Sequence, residues 1–177
     1  QITVVAFDVT TNGNLETIIG KYLEPAIVGG QGTRVWQTYI GGNGDDNPYA
    51  MEQGPDGNLY ITGQTSSTNF PLLGGTAFSG GSLAQQAQSS IDVFVLKITQ
   101  DGQSIKAAVV GGNGADDNYD VRTAPNGDVF VCGSTTSTNL LSLNGGSGAS
   151  NTNNGGSDVF LFRIDQDLSS LVWMRNY

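Results

Sequence analysis

Short runs of alternating apolar and polar residues follow one another along most of the chain, separated by Gly, Asn and Asp. The runs are rich in Val, Ile, Tyr and Phe, which is typical of β-strands with one buried face. They form two sets of four: residues 35–40, 49–53, 58–62 and 92–98, and residues 105–110, 119–123, 128–132 and 158–164. The pattern therefore predicts an all-β fold.

The two sets repeat each other in sequence. The Gly-Gly-Asn-Gly motif that begins at Gly41 returns at Gly111, and the turn sequence Pro-Asp-Gly at 55–57 returns as Pro-Asn-Gly at 125–127. A fixed period of this kind is typical of stacked supersecondary units. Because Pro followed by Gly favours a tight hairpin, we expect each unit to be a four-stranded antiparallel meander resembling the sheet of a propeller blade.

This pattern divides the chain into four parts. Residues 34–104 form the first repeat and residues 105–170 the second, each with a long polar loop, at 64–90 and 134–157. Residues 171–177 match the first strand of an incomplete third unit. Residues 1–33 lie outside the repeat and carry a strong apolar strand at 2–9 with no obvious hairpin partner, which we interpret as an inter-subunit donor or a cap. A second segment, residues 15–23, could form another strand.

Composition and charge exclude several classes of function. The net charge is −9 and the pI is near 4.1, which argues against nucleic acid as a partner. No apolar run approaches the roughly 20 residues needed to cross a bilayer, so no membrane insertion is expected. Histidine, the usual general base, is absent, and Cys132 is the single cysteine, interpreted as a small buried side chain. We therefore expect no enzymatic activity.

Two acidic loops are weak candidates for calcium. Their carboxylates are Asp45 and Asp46 in the first repeat and Asp116 and Asp117 in the second. Oxygen ligands in a Gly-Asn loop suit calcium, but the spacing is not that of an EF-hand. Asx residues also build turns, which is the interpretation we favour, so no cofactor is expected.

The order of these motifs resembles the bacterial SBBP repeat, a β-propeller repeat. The matching elements run from Tyr-Ile-Gly-Gly at 39–42 through Asp-Gly-Asn-Leu-Tyr-Ile-Thr-Gly at 56–63 to Asp-Val-Phe-Val-Leu-Lys-Ile at 92–98. The resemblance covers about residues 35–177, although Leu140-Leu141 replaces Phe70-Pro71 in the second repeat. It implies a secreted or cell-surface bacterial protein without catalytic residues. About two blades are present, whereas a closed ring needs four or more.

The two ends of the array suggest self-assembly. A free strand at one end and an incomplete sheet at the other are what strand addition between subunits requires. The candidate assembly residues are Ile2, Val4, Val5, Phe7, Trp173 and Tyr177. We expect a secreted structural protein that joins copies of itself head-to-tail, such as a filament or surface-fibre subunit. The alternative is a glycan-binding or adhesin module, part of a larger propeller, that uses the long loops. Trp36 and Trp173 could stack on sugars, but packing between sheets is the favoured role.

Overall fold

A computed structural model describes residues 2–11, 14–23, 30, 32–73, 77–79, 90–140 and 155–177, with the main chain alone for 2–11 and 77–79. The described residues form strands and turns and include no helix that could cross a membrane. The strands are β1 (Ile2–Thr11), β2 (Asn14–Leu23), β3 (Thr33–Ile40), β4 (Asp46–Gln53), β5 (Leu59–Thr65), β6 (Ala77–Ser79), β7 (Asp92–Ile98), β8 (Ile105–Gly111), β9 (Asp116–Thr123), β10 (Val129–Thr135), β11 (Asp158–Ile164) and β12 (Leu171–Asn176).

These strands make three separate sheets. Sheet 1 has the order β1-β2-β3, sheet 2 the order β4-β5-β7-β8-β6, and sheet 3 the order β12-β11-β10-β9. All neighbours are antiparallel except β6, which runs parallel to β8. The predicted fold class is therefore confirmed: the described chain is all-β, with blade-like antiparallel sheets and no closed sheet.

The predicted hairpins form for the expected reason. Gly57 and Gly127 have φ values of +77° and +88°, which residues with a side chain rarely adopt. Their amides close the turns on the carbonyls of Gly54 (2.9 Å) and Ala124 (2.8 Å). The second and third strands of each predicted set, β4 with β5 and β9 with β10, are thereby joined.

The sheets are shifted by one strand from the repeats in the sequence. β8, the first strand of the second repeat, pairs with β7 and so belongs to sheet 2. β12, expected to begin an incomplete third unit, pairs with β11 and completes sheet 3. The first strand of the first repeat, β3, lies in sheet 1. The predicted sheet membership of these three strands was wrong, because the chain changes sheet between β3 and β4 and again between β8 and β9. We call β4 and β9, at one edge of their sheets, the inner strands, and the strands that follow them in the same sheet the outer strands.

Sheet 1 is a third copy of the blade pattern, formed by β1, β2 and β3, that the sequence repeat does not reveal. The sequence predicted β1 as a lone strand, which was wrong: β1 pairs with β2 from Ile2↔Leu23 to Thr11↔Asn14. One row of paired residues crosses three strands in every sheet and carries a cation at its centre: Val4–Lys21–Trp36 in sheet 1, Tyr60–Lys97–Lys106 in sheet 2 and Phe130–Arg163–Trp173 in sheet 3. Sheet 1 thus corresponds to the three outer strands of the other sheets. Within the described residues nothing in sheet 1 corresponds to the inner strands β4 and β9.

The three sheets stack face to face, and two clusters of buried side chains fill the spaces between them. We call the side of each sheet that points to the next sheet in chain order its front, and the opposite side its back. Ile19 on the front of sheet 1 packs against Ile61 and Leu96 on the back of sheet 2. Val95 on the front of sheet 2 packs against Phe162 on the back of sheet 3. Each such buried side chain stabilises the fold by roughly 1.5–3 kcal/mol.

Candidate functional site

The front face of sheet 2 is covered by sheet 3. Five of its apolar side chains are at most 3% exposed and belong to the cluster shared with sheet 3: Tyr60, Val93, Val95, Ala108 and Val110. The partly buried Ala50 packs against the same cluster. Strand register defines the equivalent positions on sheet 3. There, Val159 corresponds to Val93 and Tyr177 to Val110. The reason is that Val93 lies opposite Val110 in sheet 2, as Val159 lies opposite Tyr177 in sheet 3.

The same face of sheet 3 is open. Val159 is 53% exposed where Val93 is fully buried, and Tyr177 is 62% exposed where Val110 is 3% exposed. We call this surface the open front face and define it by Phe130, Cys132, Val159, Leu161, Arg163, Trp173, Arg175 and Tyr177. A contiguous apolar and aromatic surface on a sheet whose equivalents are buried is typical of an interaction site.

A clamp of two side chains joins sheet 1 to sheet 2 at the turn between β7 and β8. Lys21 Nζ donates to the carbonyl oxygen of Gln100 at 2.7 Å, and Trp36 Nε1 donates to the same oxygen at 3.4 Å. The indole of Trp36 lies directly over Gly102, where a Cβ would come within 2.6 Å of the ring. A turn with glycine at this position is therefore required beneath the tryptophan.

The clamp between sheets 2 and 3 uses a different pair. Lys97 Nζ donates to the carbonyl oxygen of Gln166 at 2.9 Å, while Lys106, in the place of Trp36, lies 3.9 Å from Asp167. Leu168, with a φ of +54° and no exposed surface, stands where the first clamp has Gly102. Because a flexible lysine replaces the indole, this turn has room for a side chain.

On sheet 3 the clamp residues are Arg163 and Trp173, and no turn from the described chain lies between them. Arg163 Nε instead donates to Asp128, next to β10 of the same sheet, at 2.7 Å. The rings of Trp173 and Phe130 pack edge to face with their centroids 5.9 Å apart. Burial tends to raise the pKa of Asp128, but the hydrogen bond and charge of Arg163 outweigh it and hold this pKa below its usual value. Both clamp residues of the open front face therefore contact side chains of sheet 3 itself.

The structure places the remaining predicted assembly residues in β1. Ile2, Val4, Val5 and Phe7 lie along this strand, but their side chains are outside the described part of the structure. Trp173 and Tyr177 both lie on the open front face. Sequence reasoning missed Arg163, although the cation that recurs at Lys21, Lys97 and Arg163 could have revealed it.

The sequence of β1 lacks the glycine at which an inner strand approaches in the other two sheets. In sheets 2 and 3 the inner strand passes so close to Gly63 and Gly133 that a Cβ there would clash with a carbonyl oxygen of that strand. Pairing with β2 puts Phe7 opposite Ile18, as Gly63 lies opposite Phe94 and Gly133 opposite Phe160. Because phenylalanine replaces the obligatory glycine, an inner strand cannot lie beside β1 as β4 and β9 lie in their sheets.

The four acidic candidates for calcium have structural partners. Asp46 Oδ2 accepts hydrogen bonds from the amide of Gly42 (2.7 Å) and the hydroxyl of Ser67 (2.8 Å). Asp116 accepts the equivalent pair from Gly112 and Ser137, both at 2.8 Å. Burial raises the pKa of Asp46 and raises that of Asp116 to about 6. These contacts are those of turns that connect one sheet to the next.

The neighbouring carboxylates point elsewhere. Asp45 accepts from the amide of Leu15 at 2.9 Å, which ties the loop to sheet 1, and Asp117 accepts from the side-chain amide of Gln64. Within the described residues no three acidic, His or Cys side chains are grouped as metal ligands would be. Asp46 and Asp116 therefore hold turns, whereas Asp45 and Asp117 make contacts from one sheet to another.

Cys132 and the two tryptophans lie on front faces. Cys132 is a free thiol and is partly exposed on sheet 3, where sheet 2 has the buried Thr62. The expectation of a buried cysteine was therefore wrong, because none of the three sheets of the described chain covers this position. Trp36 packs between sheets, as favoured, and the middle copy of this position is Lys106.

Comparison with known proteins agrees with this architecture. The family model of the SBBP β-propeller repeat matches residues 35–71, which confirms the resemblance over that part of the first repeat. The match extends from β3 through β5 and therefore crosses from sheet 1 into sheet 2. No curated protein sequence matches the chain. The family and the fold together indicate a propeller-like structural or binding module.

Proposed function

We propose that this chain is a non-enzymatic, secreted structural module that joins copies of itself head-to-tail through its end sheets, as a filament or surface-fibre subunit. The partner of the open front face is a second copy of the chain. The two copies meet sheet on sheet, in the manner of neighbouring sheets within one copy, and not by exchange of a strand.

The exposure of Val159 and Tyr177 carries this proposal. The two equivalent side chains of sheet 2 are buried by the back of the following sheet. An additional sheet on sheet 3 would continue an interface that the chain already makes twice. Removing such apolar and aromatic side chains from water favours association, because burial contributes roughly 25 cal/mol per Å² of apolar surface.

The back of sheet 1 supplies a matching surface. Val35 and Tyr39 on this face are 50% and 54% exposed. The Tyr22 hydroxyl and the Gln37 side chain are hydrogen-bonded at 3.3 Å, and the Tyr22 ring lies over Gly20. Partly apolar surfaces with tyrosine are typical of protein interfaces. The front of one copy against the back of the next is a heterologous contact, which forms a filament if it does not close into a ring.

The experiment compares the wild type with a Val159→Asp variant by analytical ultracentrifugation over a concentration series and by electron microscopy. We expect the wild type to form oligomers of increasing length and the variant to remain monomeric, because a carboxylate on the open front face would be buried unpaired. Ile91→Ser is the matched control, since Ile91 is 38% exposed outside either end face. A wild-type protein that stays monomeric, or a variant that assembles equally well, would contradict the proposal.

A further inference from the structure

A pocket lies between sheets 1 and 2, beside the clamp residue Lys21. It has a volume of about 290 Å³, and its lining includes Lys21 of sheet 1 and Met51, Leu59 and Gln100 of sheet 2. This volume is just below the range of about 300–1,000 Å³ that is typical of ligand sites, so it suits a small molecule. A ligand can enter from solvent, because Gln100 and the lining residue Gln53 are exposed and Lys21 is partly exposed.

The equivalent space between sheets 2 and 3 is filled by a tyrosine and a carboxylate. Tyr60, which pairs with Lys97, is fully buried, and the centroid of its ring lies 5.8 Å from Lys97 Nζ. The Tyr60 hydroxyl donates to Asp56 at 3.0 Å, and Asp56 lies 3.6 Å from Lys97 Nζ. Val121 and Val129, the equivalents of Met51 and Leu59, belong to the same buried cluster as Tyr60. The clamp cation of sheet 2 thus contacts both an aromatic ring and a carboxylate.

Neither of these groups has a counterpart at Lys21. The residue that pairs with Lys21 is Val4, which is smaller than tyrosine. Asp56 follows an inner strand, and within the described residues sheet 1 has no such strand. No carboxylate of the described chain forms an ion pair with Lys21. Its ammonium has three donors, of which one binds the carbonyl oxygen of Gln100 at 2.7 Å. Donors are therefore available to a ligand in the pocket.

We propose that this pocket binds a small aromatic carboxylic acid. The ring of the ligand takes the place that Tyr60 has in the next interface, and its carboxylate pairs with Lys21 as Asp56 pairs with Lys97. Leu59 belongs to the buried cluster between sheets 1 and 2 and Met51 packs against it, so both side chains face this space. A methionine sulfur also contacts aromatic rings favourably.

The charges around the pocket favour an anion. Glu52 is among the lining residues, but its carboxylate accepts from the amide of Thr123 in sheet 3 at 2.7 Å, on the other side of sheet 2. Lys21 is the other charged residue of the described lining, and it lies on the front of sheet 1. A negative ligand is therefore attracted. The proposal is independent of self-association, because the pocket lies on neither end face of the stack.

The test is a titration of the whole chain with phenylacetate, followed by NMR of the Met51 methyl group. We expect a saturable shift of this signal. Acetate, which lacks the ring, and benzyl alcohol, which lacks the charge, should each bind at least tenfold more weakly. Lys21→Met should weaken the binding of phenylacetate about tenfold, which corresponds to about 1.4 kcal/mol, and leave that of benzyl alcohol unchanged. Gln53→Glu should also weaken the binding of phenylacetate, because it adds a negative charge at the rim.

Lys106→Met is the matched control, because Lys106 is a partly exposed clamp residue of sheet 2 that does not line this pocket. It should bind phenylacetate as the wild type does. Absence of a saturable shift with phenylacetate would overturn the proposal, and so would equal affinity for phenylacetate and benzyl alcohol. Equal binding by the wild type and Lys21→Met, with amide spectra that show the same fold, would also contradict it. Because Gln53 is exposed, Gln53→Glu tests the pocket even if Lys21→Met does not fold.

Discussion

At the scale of single residues, Gly102 shows how the contact between two sheets restricts one position in a turn. Its φ is +73° and the indole of Trp36 lies where a side chain would begin. Two separate effects, backbone strain and a steric clash, therefore oppose any other residue. A variant with one effect alone can distinguish them.

Gly102→Ala should lower the free energy of unfolding by about 2–3 kcal/mol, as measured by chemical denaturation. Gly155→Ala should lower it by about 1 kcal/mol, because Gly155 has a φ of +98° but a Cβ there would meet no atom of the described residues within 4 Å beyond its chain neighbours. Equal losses in the two variants would show that the Trp36 contact contributes nothing.

Asp116 should make stability depend on pH. Its pKa is raised by burial from 3.8 to about 6, so between these values the folded state holds a proton that the unfolded state has released. Stability must then fall as pH rises through this window. Relative to Asp116→Asn, the wild type should lose about 3 kcal/mol between about pH 4 and pH 7, as measured by denaturation at each pH.

Asp101→Asn provides a control of opposite sign. The pKa of Asp101 is lowered, first by the hydrogen bond from Thr99 and then by that from the amide of Gln103. The wild type should therefore lose stability relative to this variant as pH falls through the lowered pKa. A wild type that gains stability relative to Asp116→Asn as pH rises would refute the assignment.

At the scale of strands and turns, each clamp pairs one strand side chain with one residue of the facing turn, and the two pairs consist of different residues. Trp36 covers a turn with Gly102, whereas Lys106 lies near a turn with Leu168. We expect Gly102→Ala to be less destabilising in a Trp36→Lys background, by about 1 kcal/mol, because the indole no longer opposes the methyl group. A double-mutant cycle measures this coupling. Strictly additive effects would mean that the two residues do not constrain each other.

The sequence was sufficient to predict most strands but not their assignment to sheets, and β6 lies within the loop predicted at 64–90. The pattern of β8 and β12 is that of any half-buried strand, so periodicity could not decide whether each pairs with the preceding or the following strand. The possible strand at 15–23 does form, as β2, but its signal is weaker because Gly20 and Tyr22 interrupt the apolar pattern where sheet 2 has Leu96 and Ile98.

The candidate site was partly predictable. Trp173 and Tyr177 were expected to take part in assembly from their place at the end of an array, and they do lie on the open front face. The recurring cation at Lys21, Lys97 and Arg163 identifies the position of Arg163 from the sequence, but its role follows from the contacts of Lys21 and Lys97 with the following sheet.

At the scale of the whole molecule, Cys132 is a natural probe of the proposed assembly. Its partly exposed thiol lies on the open front face. Its reaction with a thiol reagent should become slower as protein concentration rises, because a second copy covers it. In the Val159→Asp variant the rate should not change with concentration. A wild-type rate that is independent of concentration while oligomers form would place the contact elsewhere.

The pairing of tryptophan with glycine also limits how such an array can grow by gene duplication. Because Trp173 matches Trp36, a sheet added after β12 fits only if its outer turn carries glycine, as at Gly102, and a duplicate of sheet 3 with Leu168 would be rejected. Duplications that preserve whole sheets must also begin at an inner strand rather than at a boundary of the sequence repeat. The residue that faces a turn on one sheet therefore determines which sheet can follow it, so a copy of sheet 2 fits on Trp173 and a copy of sheet 3 does not.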